Sequence, residues 1–322
     1  MTKFFIADKV DPFVVKTFGE IGEVINNPGA TAEKLPELIG DSNFLVVRST
    51  RVTEETIKAA TKLKVIIRAG AGVDTINIEA ATKNGIFVCN CPGTNSHAVV
   101  ELVIGHMICA DRELFSTTTI LKDGKWCKKQ FTKSRGLFGR KLGIVGLGYI
   151  GRLVAKAAKG LGMAVAAYDK YVPKEAMEKL EVEWIESVDK LCEVSDVMTL
   201  HTVLTEETKH MFNLEMFRKC KDGMIFINAS RGGVVDQSCI PQIVKEKGIK
   251  FALDVYEDEP SVNDEEFPHT ELAKALTSMT PHIGASTLQA AEAVGLMTID
   301  IAKYFLENEK PPKLNVVNKT LL

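Results

Sequence analysis

Short apolar runs alternate with amphipathic stretches along the whole chain, which is the pattern of strands that alternate with helices. Five runs in the first third are predicted strands: Phe4–Ala7, Glu23–Ile25, Phe44–Val47, Val65–Ile67 and Ile86–Val88. Six runs form a second predicted series: Leu142–Val145, Ala164–Tyr168, Val197–Leu200, Met224–Asn228, Phe251–Asp254 and Leu276–Met279. Since strands joined through helices pair in parallel, the pattern predicts an α/β protein with two doubly wound parallel sheets.

Two helical stretches flank the second series. One apolar helix is predicted from Ser96 to about Ala110, and another from Ala290 to Glu307, after the last predicted strand. Six strands complete a dinucleotide-binding sheet, so the late helix has no place in that sheet. We therefore expect it to cross back to the first domain.

Composition narrows the classes of function. The 322 residues are 45% hydrophobic and 25% charged, with a net charge of −2 and no block of like charges, which argues against a nucleic-acid-binding or polybasic membrane-binding surface. No apolar run reaches the roughly 18 residues that a membrane-spanning helix needs. The seven cysteines include no CxxC pair, so we expect reduced thiols, a cytoplasmic protein and no bound metal.

The stretch GIVGLGYIG carries a GxGxxG loop at Gly146, Gly148 and Gly151, between a predicted strand and an amphipathic helix. In such loops the first glycine makes a tight turn, the second lets a pyrophosphate approach, and the third packs helix against strand. Asp169 ends the next strand, where a carboxylate binds ribose hydroxyls and disfavours a 2′-phosphate. NAD is therefore the expected cofactor. A glycine turn without a ligand and a solvated aspartate are the alternatives.

Polar residues follow the other strands of the second series, and ligands of open α/β sheets bind at those carboxyl ends. They are His201 and Thr202 after the third strand, Ser230 and Arg231 after the fourth, Asp254 and Glu259 after the fifth, and His282 after the sixth. Each also has a plainer interpretation: a structural histidine, a salt-bridging arginine, an acidic residue of a solvated loop, or an aspartate that ends a strand.

An arginine, a carboxylate and a histidine at one edge suit hydride transfer between a nicotinamide and a 2-hydroxy acid. We assign His282 as the general acid/base, because the unperturbed histidine pKa of about 6.5 lies close to working pH. Glu259 is expected to fix the tautomer of that ring. Arg231 is expected to bind the substrate carboxylate.

These residues stand in motifs that resemble, over nearly the full chain, the D-isomer-specific 2-hydroxyacid dehydrogenases. The matching motifs are IIRAGAGVDTIN, DGKWCKK, GIVGLGYIG, INASRGGVVD, ALDVYEDEP and TPHIGAST. The resemblance implies the same catalytic set of Arg231, Glu259 and His282. It also implies a flavodoxin-like substrate-binding domain of residues 1–97 and 287–322, into which a Rossmann-type NAD-binding domain of residues 98–286 is inserted.

The resemblance extends to ligand contacts and assembly. Implied cofactor contacts are Gly146, Gly148, Tyr149, Ile150, Gly151, Asp169, His201, Thr202, Ala229, Ser230, Asp254, Gly284 and Ala285. Implied substrate contacts are Arg48 and the backbone of Ala69, Gly70, Ala71 and Gly72. A homodimer is implied through about residues 96–135, where Trp126 stands among lysines.

The implied substrate is a small 2-hydroxy acid, foremost the phosphorylated one that is oxidised at the start of serine synthesis. A glyoxylate or hydroxypyruvate reductase with the same catalytic residues is one alternative. A non-catalytic, NAD-sensing binding protein of the corepressor type is another.

Overall fold

The computed structural model describes residues 1–260 and 266–322. The strands are β1 (Lys3–Ile6), β2 (Glu23–Asn26), β3 (Phe44–Val47), β4 (Val65–Arg68), β5 (Phe87–Asn90), β6 (Lys141–Val145), β7 (Ala164–Tyr168), β8 (Glu183–Trp184), β9 (Val197–Leu200), β10 (Ile225–Asn228), β11 (Lys250–Leu253) and β12 (Ser278–Met279). The α-helices are α1 (Pro12–Ile21), α2 (Leu35–Leu38), α3 (Glu54–Ala59), α4 (Ile78–Lys83), α5 (Ser96–Arg112), α6 (Leu114–Lys122), α7 (Tyr149–Gly160), α8 (Lys174–Lys179), α9 (Val188–Val194), α10 (Leu214–Lys219), α11 (Ile240–Lys247), α12 (Thr270–Ala275) and α13 (Leu288–Asn308). Short 3₁₀ turns lie at Lys128–Phe131, Gly232–Val234, Gln237–Cys239 and Lys319–Leu321.

The chain divides into two compact units. Unit 1 comprises Met1–Asn95 and Ser286–Leu322, and unit 2 comprises Ser96–Ala285. Each unit is built on a parallel sheet, so the predicted α/β fold class is confirmed.

Unit 1 contains, in the part that the structure describes, one sheet of five strands in the order β2-β1-β3-β4-β5. This is the flavodoxin-like strand order. Every residue of β3 is buried, as expected for a central strand that is covered on both faces. Helix α13, which was predicted from Ala290 to Glu307, belongs to this unit and packs against α1.

Unit 2 contains, among its described residues, a sheet in the order β12-β11-β10-β9-β6-β7-β8. The sequence pattern predicted six of these strands. The additional one, β8, is a two-residue edge strand with both residues exposed, so it leaves no apolar run in the sequence. The strand order reverses between β6 and β9, and the crevice outside such a switch point is where ligands of open α/β sheets bind.

Two connecting elements of unit 2 differ from the predicted pattern. Helix α5 extends two residues beyond the predicted end and contacts β10, β11 and β12. Helix α6 was not predicted, and none of its described side chains is buried. No helix within residues 1–260 and 266–322 is long and apolar enough to cross a membrane.

Candidate active site

The glycine loop joins β6 to α7 at the switch point of unit 2. Gly146 has a φ of +93°, and a Cβ added there would lie 2.6 Å from the carbonyl oxygen of His201. A Cβ on Gly151 would overlap the carbonyl oxygen of Gly146. These two glycines are therefore required by the close approach of backbone segments within the protein itself.

Gly148 differs from its two neighbours in the motif. Apart from its chain neighbours, no described residue has a heavy atom within 4 Å of a Cβ built on it, although it caps the N-terminus of α7. A helix N-terminus directs N–H groups and partial positive charge toward such a space. Tyr149 is 65% exposed beside it, and Ile150 packs against the core of unit 2. The open side at Gly148 fits a pyrophosphate.

Asp169, directly after β7, holds this loop through its carboxylate. One carboxylate oxygen accepts a hydrogen bond from the N–H of Leu147 in the glycine loop at 2.7 Å. The other accepts from the N–H groups of Tyr171 and Val172, at 2.8 and 2.9 Å. This role of Asp169 was not predicted from the sequence. Lys170, which would favour a 2′-phosphate, is paired with Glu207 at 2.6 Å.

His201 and Thr202 follow β9 beside the same loop. Burial lowers the pKa of His201 to about 4, so its ring is neutral at physiological pH, and its Nε2 lies 3.1 Å from the hydroxyl of Thr199. The buried hydroxyl oxygen of Thr202 has no hydrogen-bond partner among the described residues. A buried polar atom without a partner is costly, so Thr202 is a residue of this edge whose hydrogen bonding the fold alone does not satisfy.

The loop after β10 presents Arg231. Asn228 fixes the loop, because its side-chain oxygen accepts from the N–H and hydroxyl of Ser230, at 3.0 and 2.8 Å, and its amide donates to the carbonyl of Arg231 at 2.9 Å. Ala229, between them, packs against the core. Asn228 was not among the predicted site residues, since it reads as the last residue of a strand.

His282 and Glu259 form a direct pair. Nδ1 of His282 lies 2.6 Å from Oε2 of Glu259, and the N–H of Tyr256 donates to Oε1 of that glutamate at 2.9 Å. The hydrogen bond that His282 donates to Glu259 raises the pKa of His282, although burial acts against it. Burial would by itself raise the pKa of Glu259, but the hydrogen bonds from His282 and Tyr256 bring that pKa below its usual value. The pair thus favours an imidazolium beside a carboxylate.

Arg231, Glu259 and His282 line one pocket of about 340 Å³ within unit 2. The positive charge of Arg231 also lowers the pKa of both partners of the pair. The structure therefore brings together three residues that lie far apart in the sequence.

Asp254, at the end of β11, organises the segment that carries His282. Its carboxylate accepts the N–H groups of Ile283 and Gly284, both at 2.9 Å, and the hydroxyl of Thr280 at 2.6 Å. Ala285 follows as a half-buried residue at the end of unit 2. The interpretation of Asp254 as a mere end of a strand is too narrow, because this side chain holds three successive parts of the loop.

The substrate residues predicted in unit 1 lie in two loops. The backbone N–H groups of Arg48, Ser49 and Thr50 already donate to one oxygen of Asp8, at 2.6, 3.0 and 3.0 Å, while the Arg48 side chain is exposed. Asp8 therefore fills a nest that could otherwise bind an anion.

The second loop of unit 1 comprises residues 69–72. The N–H groups of Ala69 and Gly70 donate to the carbonyls of Val47 and Arg68. No acceptor within the described residues takes the N–H groups of Ala71 or Gly72. Of the four predicted substrate contacts, only these last two retain a backbone donor.

Comparisons with known proteins give a consistent family. Residues 104–284 match the model of the D-isomer specific 2-hydroxyacid dehydrogenase NAD-binding domain. The chain is 42% identical over 320 residues to a D-3-phosphoglycerate dehydrogenase of Methanocaldococcus jannaschii, covering 99% of this chain and 60% of that protein. It is 40% identical over 275 residues to a hydroxypyruvate reductase of Thermotoga maritima, covering 83% of this chain and 86% of that protein.

A solved structure supports the same grouping. The NAD⁺-bound 3-phosphoglycerate dehydrogenase of Entamoeba histolytica superposes with a TM-score of 0.79 at 30% identity, covering 96% of each chain. The chain spans 60% of the length of the Methanocaldococcus relative. Similarity to that relative therefore bears on the part that the two share.

Proposed function

Because the chain belongs to the D-isomer-specific 2-hydroxyacid dehydrogenase family, we propose that it is an NAD-dependent D-3-phosphoglycerate dehydrogenase. It would interconvert 3-phosphoglycerate and 3-phosphohydroxypyruvate, the first step of phosphorylated serine biosynthesis. The observation that carries this proposal is the His282–Glu259 pair, with Arg231 in the same pocket. The 42% identity to a relative of that name supports the choice of substrate.

The three residues have complementary roles. When bound, the nicotinamide supplies the acceptor or donor of a hydride. Because Nδ1 of His282 is bonded to Glu259, Nε2 is the ring nitrogen that takes the hydroxyl proton in oxidation and returns it in reduction. Glu259 stabilises the imidazolium between these events. Arg231 binds the substrate carboxylate with its planar guanidinium.

The cofactor is NAD, and the residues that would hold it in unit 2 share one edge of the sheet. The N–H groups at the start of α7 and the open side of Gly148 would receive the pyrophosphate. Asp169 would bind the adenosine ribose and repel a 2′-phosphate. Polar contacts to the rest of the cofactor would come from Thr202, Ser230 and Asp254.

Unit 1 would bind the substrate. The N–H groups of Ala71 and Gly72 suit a carboxylate, and the exposed side chain of Arg48 suits a phosphate. Only the side chain of Arg48 is left to bind such a phosphate, because Asp8 already accepts the backbone N–H groups of the Arg48 loop.

A homodimer through about residues 96–135 is part of the proposal. Helix α6 buries none of its described side chains, and Phe115 and Trp126 are 51% and 81% exposed. Large exposed apolar groups of this kind mark surfaces that bind a partner. We also propose a cytoplasmic location, which the seven free cysteines support.

A hydroxypyruvate reductase is the second candidate. The relative of that name is 40% identical and is matched over 86% of its length. A reductase would use the same three catalytic residues as a phosphoglycerate dehydrogenase, so the pocket in unit 2 does not separate the two functions.

The experiment that tests the proposal is a parallel assay of NADH oxidation with phosphohydroxypyruvate, hydroxypyruvate and glyoxylate. A strong preference for the phosphorylated acid is expected. Equal or higher kcat/KM with hydroxypyruvate would support the reductase instead. Turnover of none of the three, with NADH still bound, would contradict an enzymatic function and favour an NAD-sensing binding protein.

A further inference from the structure

A buried histidine of α5 lies behind the catalytic segment and has no part in the chemistry described so far. His106 is 3% exposed, and each of its ring nitrogens faces a hydroxyl. Nδ1 lies 2.7 Å from the hydroxyl of Ser278, and Nε2 lies 3.0 Å from the hydroxyl of Thr280. Both hydroxyls belong to the stretch that leads directly into His282.

The hydrogens of this cluster can be placed by elimination. The only hydroxyl hydrogen of Thr280 is donated to Oδ1 of Asp254, at 2.6 Å. The oxygen of Thr280 must then accept from Nε2–H of His106. Burial lowers the pKa of His106, against the nearby charge of Asp254, which favours the neutral ring. Nδ1 therefore accepts from Ser278.

Asp254 passes this arrangement on to the catalytic loop. Its carboxylate also accepts from the N–H groups of Ile283 and Gly284, and its own carbonyl accepts from the N–H of His282 at 2.8 Å. His282 itself has a φ of +51°, in the left-handed region that non-glycine residues seldom adopt. That backbone conformation persists only where the surroundings over-determine it.

We propose that His106, acting through Thr280 and Asp254, is a positioning residue that holds the imidazole of His282 in register with Glu259. This rests on the proposed function in one respect, the role of His282 as acid/base. A residue that served packing alone could be replaced by an apolar side chain of similar volume. Here, in contrast, each polar atom of a buried chain has its partner, and such networks lose more than one bond when one member is removed.

Thr280→Val and His106→Met remove one link each with little change in volume. Each is expected to lower kcat about tenfold, and the double variant is expected to fall little further, because both substitutions break the same chain. The Kd for NADH should change less than kcat does, since neither substitution touches the glycine loop or Asp169. Thr280→Ser keeps the hydroxyl and should restore most of the activity. Val103→Ala, a buried change on α5 outside the network, is the control for lost packing.

A second readout separates positioning from stability. The groups whose charges act on His282 are Glu259, Asp254 and Arg231. When the loop loses its anchor, the hydrogen bond to Glu259 weakens, so the midpoint of His282 should move down toward the ordinary histidine value. Histidine-selective NMR titration of the cofactor-free protein measures this midpoint. The ¹⁵N shifts of His106 should show a neutral ring protonated at Nε2 and not at Nδ1.

Three results would overturn the inference. The first is a His106→Met variant with the kcat of the wild type and an unshifted His282 titration midpoint. The second is a loss of kcat in Val103→Ala as large as in Thr280→Val. The third is a His106 ring that is protonated at Nδ1. The NMR results need no turnover. If the wild-type protein reduced none of the tested acids, the proposed function would fail. The proposed network would still be tested by the protonation of the His106 ring nitrogens and by the titration midpoint of His282.

Discussion

The pair formed by His282 and Glu259 sets what this protein can do at the scale of single residues. Their 2.6 Å contact leaves one ring nitrogen to exchange a proton and keeps the other bonded to a carboxylate. Glu259 is in turn oriented by the N–H of Tyr256. A general acid/base whose partner is itself fixed is the arrangement that a proton transfer coupled to hydride transfer needs.

Replacing His282 by asparagine should lower kcat by roughly a hundredfold or more, because the general acid/base is lost. NADH should bind almost as before, since the glycine loop and Asp169 are unchanged. Steady-state kinetics and fluorescence titration of NADH measure the two effects. A variant that retained most of its turnover would show that another group moves the proton.

The pH dependence follows from the direction of the His282 shift. With His282 as the proposed general acid, reduction of a keto acid requires its protonated form, so kcat/KM should be constant at low pH and fall as pH rises through the raised pKa. In Glu259→Gln the hydrogen-bonded carboxylate is gone, so the fall should begin at lower pH. Oxidation should show the mirror image, rising through the same midpoint. Equal midpoints in both proteins would mean that Glu259 does not control this titration.

Asp169 has two tasks that a pair of variants can separate. Asp169→Ala should weaken NADH roughly tenfold to a hundredfold, because hydrogen bonds to a charged acceptor are lost, and should weaken NADPH less. Asp169→Asn keeps an acceptor oxygen for the loop N–H groups but removes the charge, so it should mainly narrow the preference for NADH over NADPH. Equal losses for both cofactors in both variants would argue against ribose recognition.

At the scale of elements, the three glycines in the loop between β6 and α7 have different surroundings. Gly146 and Gly151 are required by close backbone contacts inside the protein. Gly148 borders a space that no described residue beyond its chain neighbours occupies. The motif thus has a packing part at Gly146 and Gly151 and an open side at Gly148, where we propose that the pyrophosphate lies.

Gly151→Ala and Gly148→Ala make a matched test of this division. The first places a methyl against the Gly146 carbonyl and should cost about 1–3 kcal/mol of stability. The second should change the free energy of unfolding by less than about 0.5 kcal/mol and yet weaken NADH binding tenfold or more, roughly the effect of losing one hydrogen bond to a charged group. Thermal melts with and without NADH measure both quantities. Equal melting temperatures without NADH would contradict the assignment.

At the scale of the whole molecule, α6 and Trp126 expose apolar side chains that the described part of the chain does not cover. A helix whose described side chains are all at least partly exposed gains little from the fold of its own unit. The proposed dimer gives those apolar side chains a partner.

Phe115→Glu is expected to dissociate that dimer, because a charge would be buried in an apolar contact. Light scattering after size-exclusion chromatography should give twice the monomer mass for the wild type and the monomer mass for the variant. Leu314→Glu alters an even more exposed apolar residue, in unit 1, and should leave the mass unchanged. A wild-type protein that ran as a monomer would remove this part of the proposal.

Much of the molecule follows from local patterns in the sequence. Runs such as Phe44–Val47 predict buried strands because a strand covered on both faces must be apolar throughout. The positions of Arg231, Glu259 and His282 were predicted from the rule that parallel strands bring their carboxyl ends to one edge. Two elements were not predicted because they carry no apolar pattern. β8 has only two residues, both exposed, and α6 has no apolar face that its own unit buries.

The sequence by itself determined the two strand series, the glycine loop and the candidate catalytic residues, because each is a local signal read at a strand end. Tertiary structure alone decided that Asp8 fills the nest beside Arg48, and that His106 bonds to Ser278, 172 residues away. No periodicity encodes such contacts. They exist only once a helix packs on a sheet or two loops meet, and each needs a distance of about 3 Å that depends on the whole fold.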